Sequence, residues 1–191
     1  MKKLTIILLG LGMFQALDAQ KYKAEFSTSN HNWSFGEAES ISILIPNTSV
    51  DKSMTALKTV MSSLDGKVKS QNSQEISFNY LSLENNIDKS NIFSSFEQQG
   101  SNTVLNAIVK NADGNYSAKS AKPILKKVFN KCIYSLYEDS IKQEQIAIES
   151  INSNPVKTID KTAAKESEDK LQKTQMDLMD FICITNKGIL P

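Results

Sequence analysis

The chain has 191 residues and nearly balanced charge, with 22 basic and 21 acidic side chains and one histidine. Every basic side chain is lysine, so the planar fork with which arginine holds phosphates and guanine is missing. Neither the neutral charge nor the basic residues give a reason to expect nucleic acid or an acidic membrane surface as a partner.

The N-terminus has the three-part pattern of a secretory signal peptide. Two lysines open it, residues 4–14 form its apolar core, and a short polar segment ends at Ala19. We predict that residues 1–19 are removed and that the mature protein is periplasmic or secreted. The apolar core is well short of the roughly 20 residues that a membrane span needs, so we predict no span in the mature chain.

The mature chain, residues 20–191, is long enough for one domain with a substantial core. Its first part has little periodicity, and we expect Tyr22 to Phe26 to form a short edge strand. Trp33 and Phe35 are expected to fold back as a lid over one end of the core.

A strand and a helix are predicted next. Residues 40–45 are rich in β-branched side chains and closed by a proline, which predicts a strand buried on both faces. A helix is predicted at about 49–64, because apolar residues recur every three or four positions. Thr48 is the expected N-cap, and Asp65-Gly66 is expected to end the helix in a left-handed conformation.

Four more strands are predicted before residue 117. Residues 67–70 indicate a weak strand, residues 75–80 alternate cleanly, and residues 91–98 and 102–110 indicate the arms of a hairpin. The order β-α-β-β-β-β predicts an α+β fold. We expect a mostly antiparallel sheet of four or five strands with one crossover helix.

The C-terminal part predicts two long helices that form an antiparallel hairpin. The first covers about 118–151 and the second about 162–186, with a break at Asn154-Pro155 between them. Folding the chain there sets the apolar residues 124–137 beside the apolar residues 176–184. Residues 124–137 carry a stripe wide enough to contact both the sheet and the last helix.

No low-complexity linker separates the head, about 20–117, from the helical hairpin, about 118–187. We therefore predict one domain. In that domain the first hairpin helix is a central post between the sheet and the second helix.

Two cysteines remain in the mature chain, Cys132 and Cys183, one in each hairpin helix. In an exported protein two cysteines more often pair than stay free. They stand about 29 and 32 Å from the turn at roughly 1.5 Å per residue, so they are level to within one helical turn. We predict a Cys132–Cys183 disulfide, and the alternative is that both are small buried core residues.

No motif for catalysis or cofactor binding is present. His31 has no Asp or Cys at a recognisable spacing, so we expect it to be a surface or packing residue. There is no nucleophile elbow and no glycine-rich phosphate loop. Two cysteines on separate helices do not make a zinc site. We predict no catalytic residue, no cofactor and no metal.

The acidic residues do not form a recognisable site. Glu37 and Glu39 are spaced to share a strand face, as a glycosidase pair would, but such pairs are common on solvated strands. Asp113 and Asn115 are too few for a calcium loop. Five acids of the two predicted long helices are expected to be helix-surface charges with lysines nearby: Glu138, Asp139, Glu166, Glu168 and Asp169.

Recognition surfaces are the better prospect. The Ser- and Asn-rich sheet face with Tyr80, Phe93 and Phe96 is a candidate docking surface, although aromatics at alternate strand positions are more often core. We predict an exported, non-enzymatic interaction or structural protein, with an unknown protein partner in the cell envelope or outside. Two alternatives stay open: an enzyme using Asp/Glu, Lys or Ser in loops 82–90 and 111–117, and a binder of small apolar ligands between sheet and tail helices.

The order of elements also resembles a known group. A signal peptide, a Trp-x-x-Gly element at Trp33–Gly36, a buried strand, a capped helix, a meander and long charged helices resemble uncharacterised exported proteins of Bacteroidota-type bacteria. The resemblance covers most of the mature chain and implies no catalytic residues. The group's helical tails are longer and more acidic than the hairpin of this chain.

Overall fold

The fold was analysed in a computed structural model, which describes residues 22–81, 89–153 and 159–187. The predicted signal peptide, the predicted break at Asn154-Pro155 and most of the 82–90 loop lie outside these ranges. Within them the chain forms seven strands and three helices, which confirms the predicted α+β class.

The strands of these ranges form one antiparallel sheet. They are β1 Phe26–Trp33, β2 Gly36–Ile45, β3 Lys67–Gln71, β4 Glu75–Leu81, β5 Lys89–Gln99, β6 Asn102–Lys110 and β7 Tyr116–Ser117. Their order is β1-β2-β6-β5-β4-β3, and the short β7 pairs with the end of β6. β2 to β6 match the predicted strands. The edge strand expected at Tyr22 to Phe26 is wrong in position, because β1 begins only at Phe26 and continues to Trp33. The sheet is wider than the predicted four or five strands because polar segments pair along the edges of β2 and β6.

The helices are α1 Val50–Ser62, α2 Ala118–Ser153 and α3 Ile159–Lys187. α1 connects β2 to β3, and α2 and α3 follow the sheet in sequence. α2 packs against β2, β6 and α1, and α3 packs against α2. The long helix is therefore the central post that its broad apolar stripe predicts.

The cap of α1 lies one residue later than predicted. The Ser49 side chain accepts a hydrogen bond from the Lys52 N–H at 3.3 Å, as an N-cap does. The predicted cap, Thr48, donates its hydroxyl to the Pro46 carbonyl at 2.9 Å instead. Both residues are N-capping types, and only the path of the loop decides between them.

The turn that follows α1 ends at Asp65-Gly66, as predicted. Asp65, not Gly66, takes the left-handed conformation, with φ of 52°. Gly66 is required for another reason: a Cβ there would lie 2.8 Å from the Met61 carbonyl oxygen, which also accepts the Gly66 N–H. The dipeptide ends the helix with a left-handed residue as predicted, and the structure assigns that conformation to Asp65.

The core lies between one face of the sheet and α2. Ile41, Ile43 and Ile45 of β2 point into it, and α1 closes one side with Leu57 and Met61. α2 contributes a row of side chains that are at most 2% exposed: Ile124, Leu125, Val128, Phe129 and Ile133. This row has the helical spacing of the predicted stripe.

The opposite sheet face, which we call the outer face, is only partly buried. β2 was predicted to be buried on both faces, but its outer-face residue Leu44 is 47% exposed. The buried outer-face residues of the same strand are Ser40 and Ser42. The β-branched residues of β2 therefore indicate burial only on the face of the strand that points into the core.

α2 and α3 form the predicted antiparallel hairpin. The rings of Tyr137 and Phe181 lie 5.9 Å apart, and the Lys170 ammonium lies 3.9 Å from the Glu144 carboxylate. Residue numbers thus rise along α2 while they fall along α3. The part of α2 before Tyr137 covers the sheet, and the rest is paired mainly with α3.

α3 presents only part of its apolar end to α2. The inward residues recur every three or four positions: Ser167, Leu171, Thr174, Leu178 and Phe181. Met176 and Met179, which were expected beside residues 124–137, are instead 56% and 66% exposed. A helix turns 100° per residue, so an apolar run as dense as residues 176–183 cannot face one neighbour with all its members.

Candidate functional site

His31 connects two strands that are not neighbours in the sheet. It lies on β1, and its Nε2 is 2.9 Å from Oγ of Ser95 on β5. Since β2 and β6 lie between these strands, the sheet must curl until the β1–β2 end closes over the outer face. The ring of His31 also packs edge-on against Trp33, with centroids 4.5 Å apart.

A chain of polar side chains crosses the outer face beneath this contact. Ser42 donates to the Asn106 side-chain oxygen, and the Asn106 amide donates to Ser95 at 3.3 Å. Ser95 then meets His31. These residues come from β2, β6, β5 and β1, so the chain of hydrogen bonds links four strands.

A hydroxyl in contact with an imidazole is the geometry of a nucleophile and its base. Here, however, Ser95 is only 5% exposed, and its oxygen already accepts the Asn106 amide. It sits within a strand, where the backbone N–H groups that would hold an oxyanion are committed to the sheet ladder. The arrangement fits a structural tie better than a catalytic pair, in line with the expected packing role of His31.

Aromatic rings continue the closure at the end of the outer face. Phe35 is stacked between Trp33 and Tyr116, with interplanar angles of 2° and 12°, and Phe93 meets it edge-on at 4.8 Å. The Lys110 ammonium lies over the far ring, Tyr116. The rings thus pack against one another. We therefore interpret this cluster as a structural contact that holds the curled sheet closed, and not as a surface on which a ligand stacks.

The predicted aromatic docking face is divided between the two sides of the sheet. Tyr80 and Phe96 are 4% and 3% exposed and belong to the core, as the alternative interpretation had it. Phe93 lies on the outer face, because successive side chains of a strand alternate between the two faces of the sheet. Along β5, Phe93 is an odd number of positions from Phe96 and from the residue paired with Tyr80. The predicted lid is correct in outline, since Trp33 is buried, but it covers the outer face and not the core.

The acidic candidates do not converge. Glu37 and Glu39 share a strand face as expected, and both are exposed. Asp113 closes its own turn: its carboxylate accepts the Asn115 N–H and side-chain amide, and these bonds hold its pKa below the ordinary value. Asp139 forms an exposed ion pair with Lys52 at 2.7 Å.

A groove of about 400 Å³ lies between α1 and α2. Its floor includes Ala56, Cys132 and Leu136, and the Lys52–Asp139 ion pair crosses its rim. The sequence-based alternative of an apolar ligand required a cavity between the sheet and the tail helices. This groove lies elsewhere and has a charged rim, so it does not supply that cavity.

The predicted disulfide is not formed. Cys132 and Cys183 are both free thiols, one buried and one exposed. The distance argument along the helices was sound, since Tyr137 and Phe181 do lie level. The predicted direction of the two side chains was wrong: Cys132 faces α1, and Cys183 faces away from α2.

The environment of Cys132 makes its thiol a poor nucleophile. Burial raises its pKa to about 11, and the neighbouring Ser53 hydroxyl offsets part of that rise. The Ser53 hydroxyl makes no hydrogen bond of good geometry to any described group. A thiol held protonated in this way packs as a small apolar side chain.

The exposed side of α3 carries two large apolar side chains, Met176 and Met179. Gln172, Met176, Met179 and Cys183 recur at intervals of four, three and four positions, so they line one side of the helix. All four are exposed. We call them the methionine face. Methionine side chains are adaptable and are over-used at protein-binding surfaces.

Residues 22–81, 89–153 and 159–187 contain neither a cluster of metal-ligating side chains nor a helix that could span a membrane. No three or more His, Cys, Asp or Glu side chains there are grouped so that they could hold a metal ion. None of the helices there is long and apolar enough to cross a bilayer.

Comparison with known proteins identifies no relative. No family model matches the chain, and no curated protein and no solved structure matches it. The resemblance to exported Bacteroidota-type proteins therefore stays a prediction.

The sequence did hold a signal for the methionine face. In residues 167–183 two sets of positions spaced by three and four run along opposite sides of one helix. Taking all apolar residues as one cluster concealed the second set. The outer-face hydrogen bonds had no such signal, since Ser42, Ser95, Asn106 and His31 are far apart in the chain.

Proposed function

We propose that the protein is an exported, non-enzymatic interaction protein that binds a partner through the methionine face. The observation that carries this proposal is the exposure of Met176 and Met179 on a helix whose other side is already packed. Two large apolar side chains in water have a favourable free energy of burial, which is available to a partner with an apolar surface.

The shape of the hairpin supports the same proposal. α2 needs only its first half to cover the sheet, because residues 138–150 are half-buried or exposed. At about 1.5 Å per residue the 29-residue α3 is about 44 Å long. Much of this length adds surface without adding to the core. The signal-peptide pattern supports a location outside the cytoplasm.

The enzyme alternative has less support. The Ser95–His31 contact is buried and tied to Asn106, and the exposed Glu37 and Glu39 are not part of the α1–α2 groove. In the 111–117 loop the Asp113 carboxylate is engaged by Asn115. None of these groups combines access, a free polar atom and a neighbouring base.

Site-specific photo-crosslinking in the native cell envelope tests the proposal. A photoreactive amino acid replaces Met179, and matched controls replace Leu44 and Val68, which are similarly exposed but lie on strands. We expect reproducible crosslinked products only from position 179, and we expect Met176→Lys to reduce them. Products of equal intensity from all three positions, or none from position 179, would refute the proposal.

A further inference from the structure

The methionine face has the spacing of a coiled-coil contact. Gln172, Met176, Met179 and Cys183 alternate intervals of four and three, which are the d, a, d and a positions of two heptads. The inward row of α3, which packs on α2, has the same kind of spacing. One side of α3 therefore has a helix partner and the other side has the pattern for one.

We propose that a second copy of this chain packs on the methionine face, with its α3 antiparallel to the first about a two-fold axis. This inference rests on the proposed function and names the partner. A two-fold contact must be self-complementary, because the same surface is used twice. The apolar positions and the charges of α3 both meet that condition.

The apolar positions set the register. In an antiparallel pair, a positions lie opposite d positions, so Met176 lies opposite Met179 of the second copy. The same register places Gln172 opposite Cys183 of the second copy. Both methionines of each chain are then covered, and the polar Gln172 and Cys183 lie at the ends of the contact.

The charges agree with this register. Lys173 and Asp180 are seven residues apart, so they lie on the same flank of the methionine face. Both are exposed, and neither is within ion-pair distance of another described charge. In the antiparallel pair each Lys173 lies near Asp180 of the second copy, which gives two equivalent ion pairs.

A parallel pair fits less well. It would set each residue of the contact against its own copy, including Asp169, which is one heptad before Met176. Two like charges would then face each other across the contact.

The contact spans about two heptads, which is short for a coiled coil, so we expect association that increases with protein concentration.

Cysteine crosslinking of the purified full chain tests the register. With Gln172→Cys, the introduced thiol should form a disulfide with Cys183 of a second copy under a mild thiol-specific oxidant. On one chain these two positions are about 16 Å apart along the helix, so they cannot pair internally. We expect covalent dimers from Gln172→Cys and far fewer from the matched control Gln175→Cys.

The unsubstituted chain separates the two orientations. In the antiparallel pair Cys183 lies about 16 Å from Cys183 of the second copy, so oxidation should leave the natural chain monomeric on non-reducing gels. Rapid dimer formation through Cys183 alone would overturn the antiparallel arrangement. Equal dimer yields from Gln172→Cys and Gln175→Cys would overturn the register.

Sedimentation at increasing concentration tests the association itself. We expect the natural chain to show a dimer fraction that Met176→Lys/Met179→Lys abolishes and Lys173→Glu lowers. Lys173→Glu/Asp180→Lys should restore it, because the pair is exchanged and not lost. Circular dichroism checks that each variant keeps its helices.

The outcomes distinguish this inference from the proposed function. A purified chain that stays monomeric, with no crosslink from Gln172→Cys, overturns the second copy as partner. If position 179 still crosslinks to another protein in the cell envelope, the proposed function stands with a different partner. If position 179 crosslinks to nothing there, the proposed function fails as well.

Discussion

Cys132 combines a titratable side chain with nearly complete burial. The thiol is 3% exposed, and its pKa is raised to about 11 because water is kept from the thiolate form. Burial, with the negative charges of Asp177 and ionised Tyr22, raises the pKa of Tyr137 to about 12. The folded protein therefore holds protons that the unfolded chain releases at lower pH, and stability depends on alkaline pH.

We expect the free energy of unfolding to fall as the pH rises from 9 toward 11. Below the unfolded thiol pKa of 9.0 the contribution of Cys132 is fully present, and it is lost as the pH passes through about 11. Two pKa units correspond to about 2.7 kcal/mol. Urea denaturation at several pH values should show a flatter profile for Cys132→Ala and an unchanged one for Cys183→Ala. If the free energy of unfolding depended equally on pH in the wild type and in Cys132→Ala, Cys132 would not be the source of the pH dependence.

The turn after α1 gives a second prediction about single residues. Gly66→Ala places a Cβ against the Met61 carbonyl, so we expect a loss of about 1–3 kcal/mol of stability. Asp65→Gly is the matched variant, because it relieves a left-handed residue and should be neutral or stabilising by up to about 1 kcal/mol. Thermal and urea unfolding measure both. A tolerated Gly66→Ala would show that the turn can shift away from the helix end.

These residue-level features were the hardest to predict. Ser49 and Thr48 are equally suited to cap a helix, and Asp65 and Gly66 can both adopt left-handed conformations. Local preference selects a type of residue but not the position. The exact backbone path decides between neighbours, and that path is set by contacts such as Thr103 donating to the Thr48 carbonyl at 2.6 Å.

At the level of elements, α2 is the helix on which the core depends. Its buried row packs between the sheet and α1, and Tyr137 continues it to α3. The 3.6-residue periodicity of an apolar stripe is a local property, which is why the position and orientation of this helix were predictable. The helix also begins at Ala118, as predicted.

Phe129→Ala tests the importance of this row. Phe129 is 2% exposed, so its truncation should destabilise the protein by about 3–5 kcal/mol. Ile146→Ala on the same helix is the control, since Ile146 is 64% exposed and should change stability by less than about 0.5 kcal/mol. Urea midpoints at constant slope measure the difference. Similar losses for both variants would mean that the far part of the hairpin is packed as tightly as the core.

The antiparallel direction of the two hairpin helices was predicted, but the rotation of α3 about its own axis was not. Complementary polar and apolar halves require α2 and α3 to be antiparallel, and the ring contact at Phe181 confirms it. Which of the two opposite sides of α3 faces inward depends on the rotation of the helix about its own axis. That rotation places Cys183 and both exposed methionines on the far side, and it is set by packing rather than by sequence period.

At the level of the whole molecule, α2 joins the sheet, α1 and α3 into one set of contacts. We expect unfolding in a single cooperative step, because removing α2 would expose the core face of the sheet. Far-ultraviolet circular dichroism, which reports the helices, and the fluorescence of Trp33 on the outer face should give the same midpoint. Two separate midpoints would show that the hairpin or the outer-face closure unfolds independently, against the prediction of one domain.

The kinds of element, their order and the α+β class could be predicted from the sequence, because periods of 2 and 3.6 residues are properties of short segments. The central position of α2 could also be predicted. The tertiary structure alone decided the curl that brings His31 to Ser95, the orientation of each thiol and the exposure of the methionine face. Those features depend on the twist of the sheet and on the rotation of a helix about its own axis. Both are set by many weak contacts between residues that are distant in the chain.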